Sequence, residues 1–471
     1  MSEAPQRSGR ISMVARSETA RAIDRAAASR PIPGNRVVLL QDGPEAYAAM
    51  FEVIASATRF IHFENYIIRS DATGWQFAEV LAARAKAGIQ VRVLYDWFGC
   101  LTTRRRLWQF LRAAGCEVRC FNPPSPLHLL RAISRDHRKL VVADGARAVM
   151  GGLCIGDEWA GDPAKGIAPW RDTAVRIDGP AGQALDLAFR KLWGLAGPSL
   201  PEEEQAATID AAGEASIRVV IGVPGRERAY RVIEYLAAGC RRRLWIVDAY
   251  LVPPPRLLEV LGLAERDGVD IRLLLPGASD VPFVRNLTRI GYRDMLRAGL
   301  RIFEWSGPMI HAKTMVADGQ WTRVGTSNLN AWSLIGNYEL DVVIEDAGVA
   351  QAMEQQFRRD IGSSVEVVRE PRRAPGALSR VMPSRLAQRG APEPEAARRG
   401  RRELRARTVV AARRLASGAF KSLFGPISAV LVVLGLLAVG FPTIMGYAFG
   451  VLCLWLATAA ALQAWRRRGP A

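Results

Sequence analysis

One pattern occurs twice in this chain, and the repetition constrains the fold more than any other feature. The stretch HRKLVVAD begins at residue 137, and HAKTMVAD begins at residue 311. Both copies have the spacing His-x-Lys-x-x-x-x-Asp, so the motif residues are His137, Lys139, Asp144, His311, Lys313 and Asp318. Each copy lies on an apolar, strand-like run that leads into a glycine-containing turn. We therefore expect one site assembled from two similar halves.

The sequence around the motifs is also repeated. A strand-like run at 61–70, a helical run ending at Gly88 and a buried strand IQVRVLYD precede the first motif. The same order returns with a strand at 244–253, a helical run ending at Gly268 and VDIRLLLPG before the second. Strands that alternate with helices of this length predict an α/β fold. The repeat predicts two α/β/α domains related by a pseudo-twofold axis, with one shared active site.

Composition changes along the chain predict the domain boundaries. We expect a flexible leader over 1–35 with a short helix near 18–28, domains over 36–200 and 216–368, and an acidic linker over 201–215. The composition of residues 369–422 predicts a basic linker. Its last part, residues 401–422, could form a basic amphipathic helix that lies on anionic headgroups. Pro, Arg, Ala and Gly dominate the first part of that segment, as in irregular linkers.

The C-terminal region predicts a membrane anchor. Residues 423–465 contain no charged side chain, and Phe441-Pro442 divides them into two apolar pieces flanked by arginines. Basic flanks remain on the cytoplasmic side, so the pattern favours a transmembrane helical hairpin and a cytoplasmic tail at 466–471. A buried hairpin in a soluble protein is the alternative. The expected location is a bacterial inner membrane, with the catalytic domains on the cytoplasmic side.

The charge of the chain points to an anionic partner. The formal net charge is +18 and the sequence pI is about 10.3, which suits phospholipid or nucleic acid. Much of the excess lies next to the uncharged C-terminal run, which favours phospholipid and a membrane over nucleic acid. The six cysteines form no CxxC pair and lie at no zinc-ligand spacing from histidine, so we expect no metal site or disulfide framework.

The paired motifs suit the chemistry of a phosphate ester. One neutral imidazole can attack phosphorus, and the other can protonate the leaving oxygen. The two lysines can screen the phosphodiester charge that repels a nucleophile. The mechanism requires no cofactor. Asp172 and Glu339, which follow the two motifs, are candidate carboxylates for fixing the ring orientations.

These motifs, with the trailing Gly-Thr-Ser-Asn at 325–328, resemble the phospholipase D superfamily over roughly residues 36–368. Several segments are similar to bacterial cardiolipin synthases: GNRVVLL (34–40), HFENYI (62–67), IGDEW (155–159), WRDTAVRIDGPA (170–181), YLVPPP (250–255) and LLLPGASD (273–280). The resemblance implies a metal-independent phosphatidyl transfer through a phosphohistidine. It also implies His137 as the nucleophile and His311 as acid and then base, although a near-symmetric site permits either order.

The resemblance also identifies a departure. The family pattern has a polar residue, usually Asn, three positions after the first glycine; Asn328 fits it, whereas the first half has Cys154. A thiol is a poor hydrogen-bond donor, so we expect a weaker phosphate contact there. The predicted substrate-binding set is Asn328, Cys154, Asp172, Glu339 and Glu64. The motif aspartates Asp144 and Asp318 are placed with the catalytic set, although holding the backbone is the more ordinary task for them.

Four functions remain open from the residues alone. The first is a phosphatidyl transferase that makes cardiolipin from phosphatidylglycerol. The second is a phospholipase D-type hydrolase, which differs only in accepting water. The third is a nuclease of the same superfamily, and the fourth is a membrane scaffold with a degenerate site. The sequence predicts no oligomeric state.

Overall fold

In the computed structural model of the chain, the structure describes residues 18–123, 134–202 and 208–368. All of them lie in one compact unit. The predicted basic segment at 369–422, the hairpin at 423–465 and the tail at 466–471 lie outside the described residues. Within the described ranges, no helix combines the length and apolar character needed to cross a membrane.

Fifteen strands form one continuous mixed sheet. Their bounds are β1 (Ile32–Gln41), β2 (Phe60–Asn65), β3 (Gln90–Asp96), β4 (Glu117–Phe121), β5 (Lys139–Ala143), β6 (Arg147–Gly151), β7 (Thr173–Asp178), β8 (Ala215–Gly222), β9 (Arg243–Val247), β10 (Asp270–Pro276), β11 (Arg301–Trp305), β12 (Thr314–Ala317), β13 (Trp321–Gly325), β14 (Glu339–Glu345) and β15 (Ser364–Val367).

The strand order is the same in both halves. It runs β1-β7-β6-β5-β2-β3-β4 in the first half and β8-β14-β13-β12-β9-β10-β11 in the second, with β15 added at the outer edge. Antiparallel pairing of β1 with β8 joins the halves, with Ile32 opposite Ile217. The α/β fold predicted from the sequence is thus present, and the motif strands β5 and β12 occupy matching places in the sheet.

Ten helices accompany the strands in the described ranges: α1 (18–27), α2 (Asp42–Ala55), α3 (Ala72–Lys86), α4 (Arg105–Ala113), α5 (Asp157–Ala160), α6 (Ala181–Leu195), α7 (Arg228–Gly239), α8 (Pro255–Arg266), α9 (Pro282–Arg297) and α10 (Ala347–Gly362). A π-helical turn spans Trp332–Gly336. The glycines that close α3 and α8, Gly88 and Gly268, both have φ of +88°, which a residue without Cβ adopts at little cost.

Three hydrophobic clusters form the core. One lies under α2, α3 and α4 of the first half, and another under α7, α8 and α9 of the second. The third is shared, because α6 and α10 cover strands from both halves on the same face of the sheet. The sheet is therefore buried between helical layers, and the two halves have a common core.

The folded unit begins earlier than the predicted boundary at residue 36. Residues 18–27 form the helix expected near 18–28, but this helix is packed rather than free. Ile23 is fully buried in the cluster of the second half, and Asp24 pairs with Arg218 of β8. Because β1 starts at Ile32, the part of the expected leader from residue 18 onward belongs to the fold.

Candidate active site

Both motif histidines line one cavity of about 610 Å³. His137 lies two positions before the start of β5, and His311 lies three positions before β12, so the matching strands place both rings in the same region of the sheet. The histidines are 8% and 5% exposed, which leaves little more than a ring edge open to the cavity. A cavity of this size is within the ordinary range for small-molecule sites.

The imidazole of His137 is held by a carboxylate from the second half. Its Nδ1 lies 3.0 and 3.1 Å from the two carboxylate oxygens of Glu339, at the start of β14. Thr326 donates its hydroxyl to Glu339 at 2.5 Å, and Ser333 donates to the other oxygen. The carboxylate thus fixes the ring and leaves Nε2 available to the cavity.

The imidazole of His311 is held by a carboxylate from the first half. Its Nδ1 lies 2.8 Å from Oδ2 of Asp172, the residue just before β7. The indole of Trp159 donates to the same oxygen at 3.3 Å, and the backbone N–H of Thr173 donates to Oδ1 at 2.8 Å. Each histidine is therefore oriented by the half of the molecule that does not carry it.

Backbone hydrogen bonds reinforce this exchange. The N–H of His137 donates to the carbonyl of Tyr338 at 2.9 Å, beside Glu339. The N–H of His311 donates to the carbonyl of Arg171 at 2.7 Å, beside Asp172. Arg171 is itself buried and pairs with Asp360 of α10 at 2.9 Å. The site therefore exists only when the two halves are joined.

The motif lysines are fully buried beside their own histidines. Lys139 donates to the carbonyl of His137 at 2.6 Å, and Lys313 donates to the carbonyl of His311. Burial lowers the pKa of Lys313 to about 8, against the opposing effect of Asp172. Two ammonium groups enclosed this closely create a strong positive potential for a phosphate.

Both imidazoles are neutral in the resting site. Burial lowers the pKa of His311 to about 4, with Lys313 acting in the same direction and Asp172 opposing it. Burial also lowers the pKa of His137; Glu339 opposes this shift, and Lys139 and Lys313 act in the same direction as burial. A neutral imidazole with Nδ1–H bound to a carboxylate has its lone pair on Nε2, which is the form that a nucleophile requires.

The two carboxylates remain ionised although they are buried. Burial opposes their charge, but the neighbouring histidines and lysines outweigh it and lower the pKa of both Asp172 and Glu339. Asp172 and Glu339 are predicted from the sequence both to bind substrate and to fix the orientation of the rings. The structure corrects the first assignment, since both carboxylates bind histidine and are at most 1% exposed.

The motif aspartates lie away from the cavity, which corrects their assignment to the catalytic set. Asp144 accepts hydrogen bonds from the N–H groups of Thr58, Arg59 and Phe60 at 2.7–2.9 Å. Asp318 accepts from residues 241–243 in the same way. Seven residues of extended chain separate each aspartate from its histidine, or roughly 23 Å. They fix the start of a neighbouring strand in each half.

Two other predicted residues are buried and do not line the cavity. Among the described residues, those lining the cavity include neither Glu64 nor Asn328. Glu64 lies in the sheet 3.9 Å from Arg138, and burial raises its pKa. Asn328 donates its backbone N–H to Ser333 at 2.9 Å, so it supports a residue that binds Glu339. Position 328 therefore contributes to the His137 side of the site.

Cys154 does line the cavity, as predicted. Its side chain is buried, and burial raises the pKa of the thiol, so it is protonated and uncharged near neutrality. The charges of Lys139 and Lys313 both act on it. The residue that departs from the family pattern thus lies between the two halves of the site.

Two tyrosines at matching positions complete the site. The ring centroids of Tyr66 and His137 are 4.9 Å apart in an edge-to-face arrangement, and the ammonium nitrogen of Lys139 is 5.1 Å from the Tyr66 centroid. Tyr250 stands in the same relation to His311 and Lys313, at 5.8 Å each. The sequence analysis did not include Tyr250 in the site, although aligning HFENYI with IVDAYL identifies it as the counterpart of Tyr66.

Metal binding finds no support in the described ranges. Across residues 18–123, 134–202 and 208–368, no group of three or more His, Cys, Asp and Glu side chains is arranged to hold a metal ion. The five cysteines of these ranges are free thiols.

Comparison with known proteins agrees with this geometry. Residues 233–361 match the family model described as cardiolipin synthase, PLD-like domain. The chain is 33% identical over 331 residues to a cardiolipin synthase of Geobacillus sp. (strain WCH70), covering 69% of this chain and 65% of the relative. It is 33% identical over 346 residues to cardiolipin synthase A of Pseudomonas aeruginosa (strain LESB58), covering 73% and 70%. The chain therefore spans about two thirds of the length of these relatives.

The fold is also known from a solved structure. Phosphatidylserine synthase of Haemophilus influenzae Rd KW20 superposes with a TM-score of 0.59 at 15% identity, covering 74% of this chain and 92% of that one. Fold and paired histidines define a phospholipase D-like protein. On the sequence identity to its relatives, the chain belongs to the cardiolipin synthase family of phosphatidyltransferases within that superfamily.

Proposed function

We propose that this protein transfers a phosphatidyl group from one phosphatidylglycerol to another and so makes cardiolipin. The observation that carries the proposal is the pair of neutral histidines, each oriented by a carboxylate of the other half, on one cavity with two buried ammonium groups. Such a site supplies a nucleophile, a proton donor and charge screening for a phosphodiester without any further group.

In the first step, Nε2 of His137 attacks the phosphorus of the donor lipid. The bond from phosphorus to the glycerol headgroup oxygen breaks, and His311 gives that oxygen a proton. The anionic phosphate favours the protonated form of His311, whose resting pKa is low because of burial and Lys313. Glu339 stabilises the positive charge that forms on the attacking ring.

In the second step, a hydroxyl of the acceptor phosphatidylglycerol attacks the phosphohistidine. His311, now neutral, takes the proton of that hydroxyl, and the phosphorus–nitrogen bond breaks. His137 returns to its neutral form, so protons and charge balance over the cycle. The assignment of His137 as nucleophile follows the family order, and the near-equal surroundings of the two rings support either order chemically.

The proposal includes an architecture and a location. We infer that the two halves, 36–200 and 216–368, are related by a pseudo-twofold axis through the site, which the equal strand order supports. The uncharged run at 423–465 is inferred to anchor the protein in a bacterial inner membrane, with the site on the cytoplasmic side. Lipid substrate would then be present at high local concentration.

The test supplies the purified full chain with phosphatidylglycerol in vesicles and identifies the products by mass spectrometry. Cardiolipin with an equal amount of glycerol is the expected result. Phosphatidic acid as the main product would establish the hydrolase instead. A protein that is folded and inactive on every phospholipid offered would refute both.

The covalent step has its own test. Rapid acid or base quenching during turnover should trap a phosphatidyl group on one histidine, and peptide mass spectrometry locates it. His137→Ala should abolish both trapping and turnover, while His311→Ala should slow release from His137. A trapped group on residue 311 in the unaltered protein would reverse the assignment of nucleophile and acid.

A further inference from the structure

The mouth of the cavity is lined by hydrophobic side chains that face solvent. Four cavity-lining residues are exposed: Asp280 and three hydrophobic residues, Phe98 at 57%, Val281 at 39% and Trp332 at 63%. They come from separate parts of the chain, namely the loop after β3, the start of α9 and the π-helical turn. Exposed aromatic and aliphatic groups that converge on one opening indicate a surface that binds apolar material.

The apolar character continues outward from the mouth. In the described chain, eight of the sixteen large hydrophobic residues that are exposed belong to those three segments. On α9 they form a stripe of Phe283, Leu287 and Ile290, of which the first and last are 76% and 74% exposed. Spacing of four and three residues puts them on one face of the helix. This stripe and the rim residues Phe98, Leu101, Val281, Trp332 and Ile335 are called here the apolar rim.

Basic side chains accompany the apolar rim. Arg104, Arg105 and Arg106 are exposed and begin three positions after Leu101 of the rim. On α9, Arg293 is exposed one turn beyond Ile290. A helix face with apolar residues in the centre and arginines at its border is typical of segments that lie in the headgroup region of an anionic bilayer.

We propose that the apolar rim docks the catalytic unit directly onto an anionic phospholipid bilayer, with the mouth of the cavity facing the membrane and the stripe of α9 inserted among acyl chains. A membrane fits this surface better than other partners for two reasons. The neighbouring arginines complement anionic lipid headgroups, and the rim is continuous with the cavity that would receive the lipid. This inference rests on the proposed function, because a lipid substrate has to pass from bilayer to cavity. It adds a contact that is separate from the C-terminal run.

The geometry explains how such a substrate reaches the histidines. The three rim segments follow strand ends of both halves, so a lipid entering between them meets His137 and His311 at the bottom of the same cavity. Its acyl chains remain in the bilayer while its phosphate approaches the two ammonium groups. No part of the lipid then has to cross water, which removes the largest cost of extracting it.

A site-specific fluorescence experiment tests the docking itself. The full chain with Leu287→Cys is labelled with a polarity-sensitive dye and reconstituted in phosphatidylglycerol-containing vesicles whose acyl chains carry nitroxide quenchers. Leu195→Cys, at an exposed leucine of α6 outside the rim, is the matched control, and the unsubstituted chain gives the background from native thiols. We expect a blue-shifted, quenched signal at 287 and neither effect at 195.

Two outcomes would overturn the proposal. One is a water-exposed spectrum at 287, or quenching no stronger than at 195. The other is a blue shift at 287 that the nitroxide lipids leave unquenched, since a second copy of the chain or residues 369–471 would then cover the stripe. Neither outcome depends on turnover, so failure here is distinct from failure of the proposed function.

A kinetic comparison links the surface to catalysis. The triple variant Phe283→Ser, Leu287→Ser, Ile290→Ser should lose about tenfold or more of its rate on vesicles, since each lost apolar side chain weakens insertion. Its rate on a short-chain phosphatidylglycerol below the micelle concentration should stay near that of the unsubstituted chain. The matched control is Leu187→Ser, Leu195→Ser, Leu263→Ser. Equal losses on both substrates would refute a docking role for the stripe.

Discussion

Replacing Glu339 with glutamine tests the crossed arrangement of the site most directly. The side chain keeps its shape but loses its charge, while Nδ1 of His137 stays within hydrogen-bonding distance. The nitrogen and the nearer carboxylate oxygen are 3.0 Å apart. When the ring becomes positive in the phosphohistidine, this charge pair amounts to about 5 kcal/mol at an effective dielectric constant of about 20.

Loss of that pair should lower kcat by about three orders of magnitude or more, because about 1.4 kcal/mol corresponds to tenfold in rate. The neutral amide also presents its N–H₂ group to either Thr326 or Ser333, whose hydroxyls donate to separate oxygens of the carboxylate. A wrong ring tautomer then adds to the loss, as it does in other histidine–carboxylate pairs. Binding of the lipid should change much less than kcat.

The assay measures initial rates of cardiolipin formation by Glu339→Gln, with folding checked by circular dichroism and thermal unfolding. Glu345→Gln is the matched control, since this glutamate is 42% exposed at the far end of the same strand and pairs with Arg218. A kcat for Glu339→Gln within about tenfold of the unsubstituted chain would refute the electrostatic role, since tenfold corresponds to only about 1.4 kcal/mol.

Three further predictions concern individual groups. Burial and Lys313 lower the pKa of His311 from 6.5 to about 4, so between these pH values the unfolded chain binds more protons than the folded chain, and the free energy of unfolding should fall as the pH drops through that window. In denaturant titrations at several pH values, the free energy of unfolding of His311→Gln should vary less steeply with pH, and an equal dependence on pH in both proteins would contradict a neutral ring in the folded state. Asp144→Ala should reduce the free energy of unfolding by about 2–4 kcal/mol, because the backbone N–H groups of Thr58 and Phe60 lose their acceptor, yet leave kcat per folded molecule unchanged. A large loss of kcat in well-folded protein would show that Asp144 has a catalytic role. Cys154→Asn, which restores the family pattern at similar volume, should retain or raise the rate of transfer, and a folded but inactive variant would show that the thiol has a necessary role.

Much of the fold was predictable from the sequence because its signals are local. The glycine-terminated helices α3 and α8 and the apolar runs of β5 and β12 follow from propensity and periodicity over a few residues. The repeat then predicted that both halves have the same order of elements. The helix at 18–27 shows the limit of this reasoning, because only contact with the second half makes it part of the folded unit.

The candidate site was predicted only in part. The motifs and the carboxylates that follow them predict that both histidines, both lysines, Asp172 and Glu339 share one site, and these residues contact one another in the structure. The motif spacing placed Asp144 and Asp318 with the catalytic set, whereas their hydrogen bonds agree with the more ordinary task of holding the backbone. It also failed to place Tyr250, which becomes visible only when the two halves are aligned and its ring is found beside His311.

The sequence by itself determined which reactive groups this protein carries: two imidazoles, two ammonium groups and two carboxylates on a repeated α/β framework. It also determined a C-terminal region in which a basic segment precedes an uncharged run. Only the tertiary structure decided which carboxylate serves which histidine and which hydrophobic side chains surround the cavity. The physical reason is distance along the chain. The residues of the pairs His137–Glu339 and Asp172–His311 are 202 and 139 positions apart, so no local sequence pattern can predict that they pair. The pairs form only when both halves share one sheet and one core.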